Sequence, residues 1–399
     1  MPDLIVMRAP PRHDVVLLGI GHTNAHVLRM WRQAPRPGGR LTCVVTQRIA
    51  TYSGMLPGVL AGQYPREQME IDLVRLCAAA GAQLVIGEVT GLDRARRALL
   101  FRDNVPVPFD VLSIGVGSVP ASSDVTISDG TRMVPVKPMQ TFLDRFDEHL
   151  RQAGDRRPRL PVRIVIVGGG AGGVELALCL PARLRTHLGG GTRFEQSIVT
   201  TDERLLPASR PSTARRVERL LRQRRVAVLT GRRVVQVDGG QLTFDDGASL
   251  EADLILWLTT ATAPPLLADL GLPTDPRGFL LTTDTLQTTA GDPIFAVGDS
   301  GTVAGSQTPK AGVFAVRQGP VLWDNIGRML AAEPLQRYTP QLDFLKLLNT
   351  GDGRAIGEWK GLSFESVWAW WLKDFIDRRF VRRYQNYPPP AASGATAAP

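Results

Sequence analysis

The chain has 399 residues, of which 43% are hydrophobic and 21% charged, and its formal net charge is +9 at pH 7. This length predicts two domains, and the composition excludes an intrinsically disordered chain. Neither a signal-peptide core nor a run of about eighteen apolar residues occurs, so we expect a cytoplasmic protein without a membrane span.

The positive charge comes mainly from arginines, which are mostly spread along the chain singly or in short groups such as Arg94, Arg96 and Arg97. No zinc-finger or RNA-recognition signature accompanies them, so we predict a solvated basic surface and no nucleic-acid partner. Such a surface would still attract anionic cofactors and anionic lipids.

The three cysteines, Cys43, Cys77 and Cys179, lie far apart in the sequence and within apolar segments. None belongs to a Cys-x-x-Cys or Cys-x4-Cys pair, so buried, unreactive thiols are predicted. The spacing argues against a disulfide-stapled fold, a thiol relay and a cysteine-ligated metal site, and no metal is expected.

The first part of the chain has the pattern of a β-α-β unit. Residues 14–19 form a continuous apolar run, which is typical of a strand buried on both faces of a parallel sheet. A helical pattern over 24–32 and a second apolar run over 41–46 complete the unit. Further along, the periodicity predicts a helix over 67–80 and strands over 82–89 and 109–115.

A Pro- and Arg-rich linker over 156–161 precedes a second unit of the same kind. Its predicted elements are a strand over 162–167, a helix over 172–188, a strand over 196–200, a helix over 213–225, and strands over 226–230 and 252–257. The strand-like segment 294–297 is expected to return to the first sheet.

We therefore predict an α/β fold with two Rossmann-like dinucleotide-binding domains, the second inserted into the first, plus a small C-terminal helical element. The expected boundaries are 12–125 and 278–340 for the first domain, 158–270 for the second, 341–387 for a C-terminal extension with an amphipathic helix, and 388–399 for a disordered tail.

A glycine turn follows the first strand of each unit. The two turns are Gly19-Ile-Gly21-His22-Thr23-Asn24 and Gly168-Gly-Gly170-Ala-Gly-Gly173. Glycine reaches positive φ and lets the backbone approach a pyrophosphate, while the following helix presents free N–H groups to it. The second turn has the full Gly-x-Gly-x-x-Gly pattern, whereas Asn24 replaces the third glycine of the first.

The carboxylate that usually binds the adenosine ribose is missing at the end of the second strand in both units. Gln47 and Thr200 stand near those ends and can hydrogen-bond a ribose less strongly. In the second unit, Arg204 would suit a 2′-phosphate and hence NADPH. Alternatively, Asp202 or Glu203 binds the ribose of NADH from one or two residues later.

Two later segments complete a known pattern. Phe109 to Pro120 contains Gly117-Ser118, and Ile294 to Asp299 ends in Val-Gly298-Asp299. With the glycine turns, they resemble the cofactor segments of the two-dinucleotide-binding-domain flavoproteins, the pyridine nucleotide–disulfide oxidoreductase superfamily. The resemblance covers nearly all of residues 12–385, and it implies FAD in the first domain and NAD(P)H as co-substrate in the second.

The resemblance also implies which residues hold each cofactor. For FAD these are Gly19, Gly21, His22, Thr23, Asn24, Gln47, Ser53, Gly54, Val89, Gly117, Ser118, Gly298 and Asp299. For NAD(P)H they are Gly168, Gly170, Gly173 and Thr200. The Asp299 carboxylate is expected to hydrogen-bond the ribityl chain.

Because no dithiol is present, the chain resembles the branch of type II NADH:quinone reductases and apoptosis-inducing-factor-like quinone reductases. This implies hydride transfer from nicotinamide to flavin and electron transfer to a quinone or another small acceptor. Segments 51–58 and 307–314 also resemble the flavoprotein module fused to selenide, water dikinase, so a reductase serving selenium or sulfur metabolism is an alternative. A flavin-binding module with a decayed nicotinamide site is another, because Thr260 stands where relatives have glycine.

Two residues are candidates for catalysis. In relatives the helix at the position of Lys310 lies against the isoalloxazine, so Lys310 is expected to bind FAD and stabilise its reduced ring. Glu175 matches a glutamate that relatives place between the flavin and nicotinamide sites. A carboxylate at a helix N-terminus can equally serve the helix dipole.

Apolar residues recur at helical spacing near the C-terminus, with Arg and Lys between or beyond them. They are Phe364, Val367, Trp368, Trp371, Leu372, Phe375, Ile376 and Phe380. A Trp-rich stripe over 364–384 fits a helix in a membrane interface, peripheral on the inner face, where a quinone can be reached. It fits equally a helix docked on the flavin domain or in the seam of a homodimer.

Overall fold

The computed structural model describes residues 13–156, 161–189, 191, 193–306, 308–341 and 343–387. Most of the predicted linker, Gln307 and the predicted tail over 388–399 lie outside the described residues. Within them, two five-stranded parallel sheets carry the architecture.

The first sheet runs, in spatial order, Ile294–Ala296, Val111–Ile114, His13–Leu18, Gly39–Val45 and Gln83–Ile86. The second runs Met133–Pro135, Leu254–Trp257, Val162–Val167, Phe194–Val199 and Val226–Leu229. All neighbouring strands in both sheets are parallel. The central strands are buried on both faces over Val15–Leu18 and Ile164–Val167, which explains the apolar runs at these positions.

Helices cover the faces and edges of these sheets. In chain order they are α1 His22–Gln33, α2 Leu56–Leu60, α3 Leu73–Ala79, α4 Phe142–Arg156, α5 Ala171–Leu188, α6 Pro211–Gln223, α7 Leu266–Asp269, α8 Gly312–Leu330 and α9 Val367–Gln385. The short 3-10 helices are Ser53–Met55, Arg66–Met69, Met139–Thr141 and Gly298–Ser300. Helices α1 and α5 directly follow the central strands of the two sheets.

The chain leaves the first sheet after Val111–Ile114, builds the second sheet, and returns with Ile294–Ala296. That return strand pairs in parallel with Val111–Ile114. The predicted α/β fold, with one Rossmann-like unit inserted into another, is therefore confirmed.

Smaller sheets connect or flank the two large ones. They pair Ile49–Thr51 with Glu70–Asp72, Val119–Pro120 with Ala261–Thr262, and Leu280–Thr282 with Gly301–Val303. Two more consist of Val89–Asp93, Ala98–Phe101 and Val107–Pro108, and of Thr126–Ile127, Val234–Asp238, Gln241–Phe244 and Ser249–Glu251.

The helix predicted over 67–80 is wrong in its first half. Arg66–Met69 is a 3-10 helix, and Glu70–Asp72 is a strand antiparallel to Ile49–Thr51. Helix α3 starts at Leu73 because the Asp72 carboxylate accepts a hydrogen bond from the Arg75 backbone N–H (3.0 Å) and caps it. Local propensity could not reveal this pairing with a distant segment.

The single strand predicted over 82–89 is two strands. Gln83–Ile86 joins the first sheet, and Val89–Asp93 begins a separate antiparallel sheet. Gly87 lies at the break, where a Cβ atom would come 2.2 Å from Asn104 Nδ2.

The C-terminal element contains a sheet as well as the predicted helix. Lys346–Asn349, Ala355–Trp359 and Leu362–Ser366 form an antiparallel sheet that packs against α9. Phe364 therefore lies in a strand and not in the helix. Helix α9 begins at Val367, where the Ser366 hydroxyl accepts a hydrogen bond from the Ala369 N–H.

The cysteines are buried free thiols, as predicted. The fold brings Cys43 and Cys77 together, although they are far apart in the sequence. A hydrogen bond between the two thiols, followed by burial, raises the pKa of Cys43 well above its ordinary value. The Cys43 thiol is therefore not poised to react as a thiolate.

Candidate functional site

A cavity of about 410 Å³ lies at the carboxyl edge of the first sheet. Its lining includes the turn Gly19–Gly21, Gln47 after the neighbouring strand, Val89 and Gly117. These residues come from separate parts of the sequence, and the parallel sheet brings them to one edge.

Gly19 is required by the shape of this turn. Its φ is +77°, and a Cβ atom would lie 2.6 Å from the Gly115 carbonyl oxygen. Any other residue would be strained in its backbone and would collide with the neighbouring strand.

The side chains of Thr23 and Asn24 hold this turn in place. Asn24 Nδ2 donates to the Gly19 carbonyl (2.7 Å), and its Oδ1 accepts from Ser113 Oγ (2.7 Å). Thr23 Oγ1 donates to the Ala315 carbonyl in α8 (2.7 Å). Their side chains are thus occupied within the protein, and the first backbone N–H groups of a helix such as α1 have no partner within the helix and can serve an anion.

His22 is half-buried in an aromatic cluster beside this turn. Its ring centroid lies 5.6 Å from that of Tyr52 and 5.3 Å from that of Phe380 in α9. Burial, partly opposed by Asp299, lowers the pKa of His22 below its ordinary value. The imidazole is therefore neutral at physiological pH.

The segment carrying Asp299 meets Ser118 and a lysine that the sequence did not single out. Ser118 Oγ donates to Asp299 Oδ2 (2.6 Å), and Lys137 Nζ donates to Ser118 Oγ (2.6 Å) and lies 3.3 Å from Asp299 Oδ2. The Gly117 N–H donates to Ser300 Oγ (2.9 Å). Two segments expected to serve one cofactor are thus joined by hydrogen bonds.

Lys310 is turned toward the protein. Its Nζ donates to the Gly301 carbonyl (2.6 Å) and to Thr302 Oγ1 (2.9 Å), and it lies 4.0 Å from the centroid of the Phe279 ring. Burial lowers the pKa of Lys310 to about 8, although Asp299 acts in the opposite direction. Lys310 shares the lining of a small cavity with Gly298 and Asp299, so it remains near the predicted flavin segment.

A second cavity, of about 500 Å³, lies at the carboxyl edge of the second sheet. Gly168 and Gly170 line it. A Cβ atom on Gly168 would lie 2.2 Å from the Leu258 carbonyl, and one on Gly173 would lie 1.9 Å from the Gly168 carbonyl. The first glycine thus permits the tight turn, and the third permits close packing of α5 on its strand.

The residues near the end of Phe194–Val199 differ in what they can offer a ligand. Thr200 is buried, and its Oγ1 both donates to Asp202 Oδ2 (3.3 Å) and accepts from the Asp202 N–H (3.3 Å). Arg204 donates to the Pro207 and Ser209 carbonyls (2.9 and 3.0 Å) and is absent from the cavity lining. The cations that line this cavity are instead Arg232 and Arg233.

Glu175 lies inside a group of polar side chains that is largely removed from solvent. Its Oε1 accepts a hydrogen bond from the Asn349 backbone N–H (2.7 Å). Lys373 of α9 donates to the Gly54 carbonyl and to Asp377 Oδ2, each at 3.0 Å, and Tyr52 Oη donates to Asp377 Oδ1 (3.0 Å). We call Tyr52, Glu175, Lys373 and Asp377 the buried ionic cluster.

Opposing effects set the charges in this cluster. Burial raises the pKa of Glu175 and of Asp377, and Lys373 counteracts both. Burial alone would lower the pKa of Lys373, but the nearby Glu175 and Asp377 outweigh this effect, and the pKa is raised. Lys373 is therefore the cation that balances two buried carboxyl groups.

Helix α9 turns Lys373 and Asp377 inward and three of its aromatic side chains outward. Trp368 is 74% exposed, Trp371 52% and Phe375 59%. The buried side of the helix carries Lys373 and Asp377 of the ionic cluster. The Trp-rich stripe of the sequence is thus on the surface, reversing the usual arrangement of an amphipathic helix on a core.

Sequence reasoning missed Lys137, Arg232, Arg233 and three members of the buried ionic cluster, Tyr52, Lys373 and Asp377. Lys137 belongs to no motif, and only the fold brings it to Asp299. For Lys373 and Asp377 a signal existed, since their i,i+4 spacing places them on one face of the helix together with Ala369 and Tyr384, both buried.

Two features are absent from the described part of the chain. None of its helices combines the length and apolar character needed to cross a lipid bilayer. In the same ranges, no group of three or more His, Cys, Asp or Glu side chains is placed to hold a metal ion.

Known proteins resemble this chain in sequence. Residues 13–319 match the family described as pyridine nucleotide-disulphide oxidoreductase. Demethylphylloquinone reductase NdbB from Synechocystis is 28% identical over 296 residues, covering 70% of each chain. The type II NADH:quinone oxidoreductase of Haemophilus influenzae is 27% identical over 301 residues, covering 68% of this chain and 64% of the relative.

Solved structures share the fold. The sulfide:quinone oxidoreductase of Aquifex aeolicus has a TM-score of 0.76 at 16% identity, covering 94% of this chain and 93% of that chain. NDH2 from Plasmodium falciparum, solved in complex with NADH, has a TM-score of 0.72 at 13% identity, covering 94% and 99%.

Proposed function

Because the chain belongs to the pyridine nucleotide-disulphide oxidoreductase family, we propose that it is an FAD-dependent NAD(P)H oxidoreductase that passes electrons to a quinone. One observation carries the proposal. Each of two parallel sheets ends in a glycine turn whose first glycine, Gly19 or Gly168, leaves no room for a Cβ atom, beside a cavity of about 410 Å³ in one case and 500 Å³ in the other. Two dinucleotides, and no redox-active dithiol, fit this arrangement.

The first cavity fits FAD. The turn Gly19–Gly21 and the first N–H groups of α1 would hold the pyrophosphate, and Gln47 would lie near the adenosine ribose. Asp299, joined to Ser118 and Lys137, would bind the ribityl chain. When bound, the flavin supplies two-electron chemistry between the nicotinamide and the acceptor. Lys137 and Lys310 would place positive charge near the flavin-binding residue Asp299, and positive charge near a flavin favours its reduced ring.

The second cavity fits the nicotinamide cofactor. Gly168 and Gly170 would approach its pyrophosphate, and Gly173 keeps α5 close to the sheet. Thr260 lines this cavity without closing it, since about 500 Å³ remains. This open volume favours a working nicotinamide site over a decayed one.

A quinone is the proposed acceptor, since the relatives include a demethylphylloquinone reductase and a type II NADH:quinone oxidoreductase. A second acceptor class is selenium or sulfur compounds, favoured by the resemblance of residues 51–58 to the module fused to selenide, water dikinase. Stopped-flow reoxidation of the reduced enzyme by a soluble naphthoquinone should exceed reoxidation by oxidised selenium or sulfur compounds. Reoxidation by no quinone would rule out the first acceptor.

We further propose that α9 docks on an anionic membrane surface at the inner face, where a quinone can be reached. The support is the outward aromatic face of α9 next to exposed Arg379, Arg382 and Arg383. Aromatic side chains with flanking arginines suit the boundary between headgroups and acyl chains. The alternative is that the same face of α9 forms the interface of a homodimer.

Trp371→Glu is expected to weaken binding to anionic lipid vesicles by about tenfold or more, because an exposed tryptophan is lost from the apolar contact. Vesicle co-sedimentation measures the change. Val105→Glu is the matched control, since Val105 is 81% exposed outside α9, and it should bind like the unaltered protein. A Trp371→Glu effect on oligomeric state with unchanged vesicle binding would support the dimer seam.

A further inference from the structure

The second cavity contains two arginines that the glycine motif does not explain. Arg232 and Arg233 follow the strand Val226–Leu229 and line the cavity together with Thr200. The Arg232 backbone N–H donates to the Thr200 carbonyl (3.0 Å), and the Thr200 N–H donates to the Leu229 carbonyl (3.0 Å). These hydrogen bonds hold the backbone at Arg232, and with it the arginine pair, beside the end of the strand Phe194–Val199.

This strand end is where a Rossmann-like domain places the adenosine ribose. A carboxylate there suits the 2′-hydroxyl of NADH, whereas a nearby arginine suits the 2′-phosphate of NADPH. Here Thr200 occupies the position, and its hydroxyl is already engaged with Asp202. Thr200 itself offers neither a negative charge nor a free hydroxyl to the ribose.

The two arginines differ in how much of their charge is already compensated. Arg232 is paired with Asp246 and lies 5.7 Å from the Phe244 ring centroid. Arg233 is exposed and pairs with no carboxylate within the ranges that the structure describes. Arg233 is therefore the cation with hydrogen-bond donors to spare at this end of the cavity.

Two carboxylates, Asp124 and Asp202, also line the cavity. Asp202 is held in the loop, since its carbonyl accepts from the Gly231 N–H (3.0 Å) and its Oδ2 accepts from Thr200 Oγ1. Binding of a ribose by Asp202 is the competing arrangement, and it would select NADH. The unpaired guanidinium of Arg233 favours the phosphate.

Given the proposed oxidoreductase function, on which this step rests, we infer that the second cavity selects NADPH over NADH, with Arg233 binding the 2′-phosphate and Arg232 assisting. A planar guanidinium can donate two parallel hydrogen bonds to a phosphate, and such charge-assisted bonds are stronger than neutral ones. Arg204, the cation suggested by the sequence, is excluded from this role by its bonds to backbone carbonyls.

The subsite can be tested without turnover by calorimetric titration of the flavoprotein with 2′,5′-ADP and with 5′-AMP. The first nucleotide should bind about ten- to a hundredfold more tightly, as expected for charge-assisted hydrogen bonds. Arg233→Gln should remove at least about tenfold of this difference. Arg222→Gln is the matched control, because Arg222 is exposed on α6 and outside the cavity lining. Equal binding of the two nucleotides would overturn the inference.

Anaerobic stopped-flow reduction gives the second measurement. NADPH should reduce the flavin with a higher kcat/KM than NADH, and Arg233→Gln should lower the value for NADPH while leaving that for NADH within about twofold. Faster reduction by NADH would overturn the NADPH preference alone. Failure of both nucleotides would overturn the oxidoreductase proposal, while the ADP titration would still decide the 2′-phosphate subsite.

Discussion

Replacing Gly19 with alanine is expected to yield a protein that is purified without flavin. The new Cβ atom would lie 2.6 Å from the Gly115 carbonyl oxygen and 3.0 Å from the Val116 Cα, and neither backbone atom can move aside alone. The positive φ of +77° adds strain of about 1–3 kcal/mol. The turn must therefore shift away from the position in which it can approach a pyrophosphate.

The control variant Gly81→Ala separates the effect of backbone strain from the effect of the collision. Gly81 has a φ of +62°, but a Cβ atom there meets nothing within 4 Å. It should thus carry a similar backbone strain without the collision, and it should retain its flavin. The flavin-to-protein absorbance ratio after purification is the measurement, with circular dichroism to show that both variants fold. A Gly19→Ala protein that keeps a full complement of flavin would contradict the assignment of the first cavity.

Replacing Lys373 with methionine is expected to lower the free energy of unfolding by about 3–5 kcal/mol, since it leaves buried carboxyl groups without their cation. Lys373 is bonded to Asp377 at 3.0 Å and is attracted by Glu175. Chemical denaturation of variant and unaltered protein measures the loss. Lys360→Met is the control, because Lys360 is exposed and should change stability by less than about 0.5 kcal/mol.

The stability loss in Lys373→Met should depend on pH in a defined direction. Burial raises the folded-state pKa of Glu175 and Asp377 above their ordinary values, so ionising them costs stability as the pH rises through those values. Without Lys373 this cost increases. The difference in the free energy of unfolding between the variant and the unaltered protein should therefore become smaller as the pH falls. A pH-independent difference would show that lost packing, and not charge balance, explains the effect.

The sequence predicted the parts of the fold that depend on local patterns. The apolar runs at Val15–Leu17 and Ile164–Val167 identify buried parallel strands, because such strands carry apolar residues on both faces. The glycine turns follow directly from them. The split at Gly87 and the strand Glu70–Asp72 depend on pairing with distant segments, which periodicity within one segment does not contain.

The sequence predicted those parts of the candidate site in which a motif encodes backbone geometry. It did not predict those in which the fold brings together single side chains from distant segments. Gly168 and Gly173 are needed for the tight turn and for the close packing of α5, and the glycine pattern in the sequence shows both requirements. Lys137 and Arg233 carry no such signature, since only the arrangement of neighbouring strands places them in contact with Asp299 or with the second cavity. The inward position of Lys373 was not predicted, because the aromatic stripe on α9 indicates that its own face of the helix is the one that makes contacts.

The most direct test of the central claim is an anaerobic titration of the purified protein with NADPH and NADH, followed by its absorption spectrum. The proposed oxidoreductase should carry a yellow flavin band that bleaches on addition of nicotinamide nucleotide and returns when a quinone is added. A protein that binds no flavin, or a flavin band that neither nucleotide bleaches, would contradict the proposal that the two cavities hold an electron donor and its acceptor cofactor.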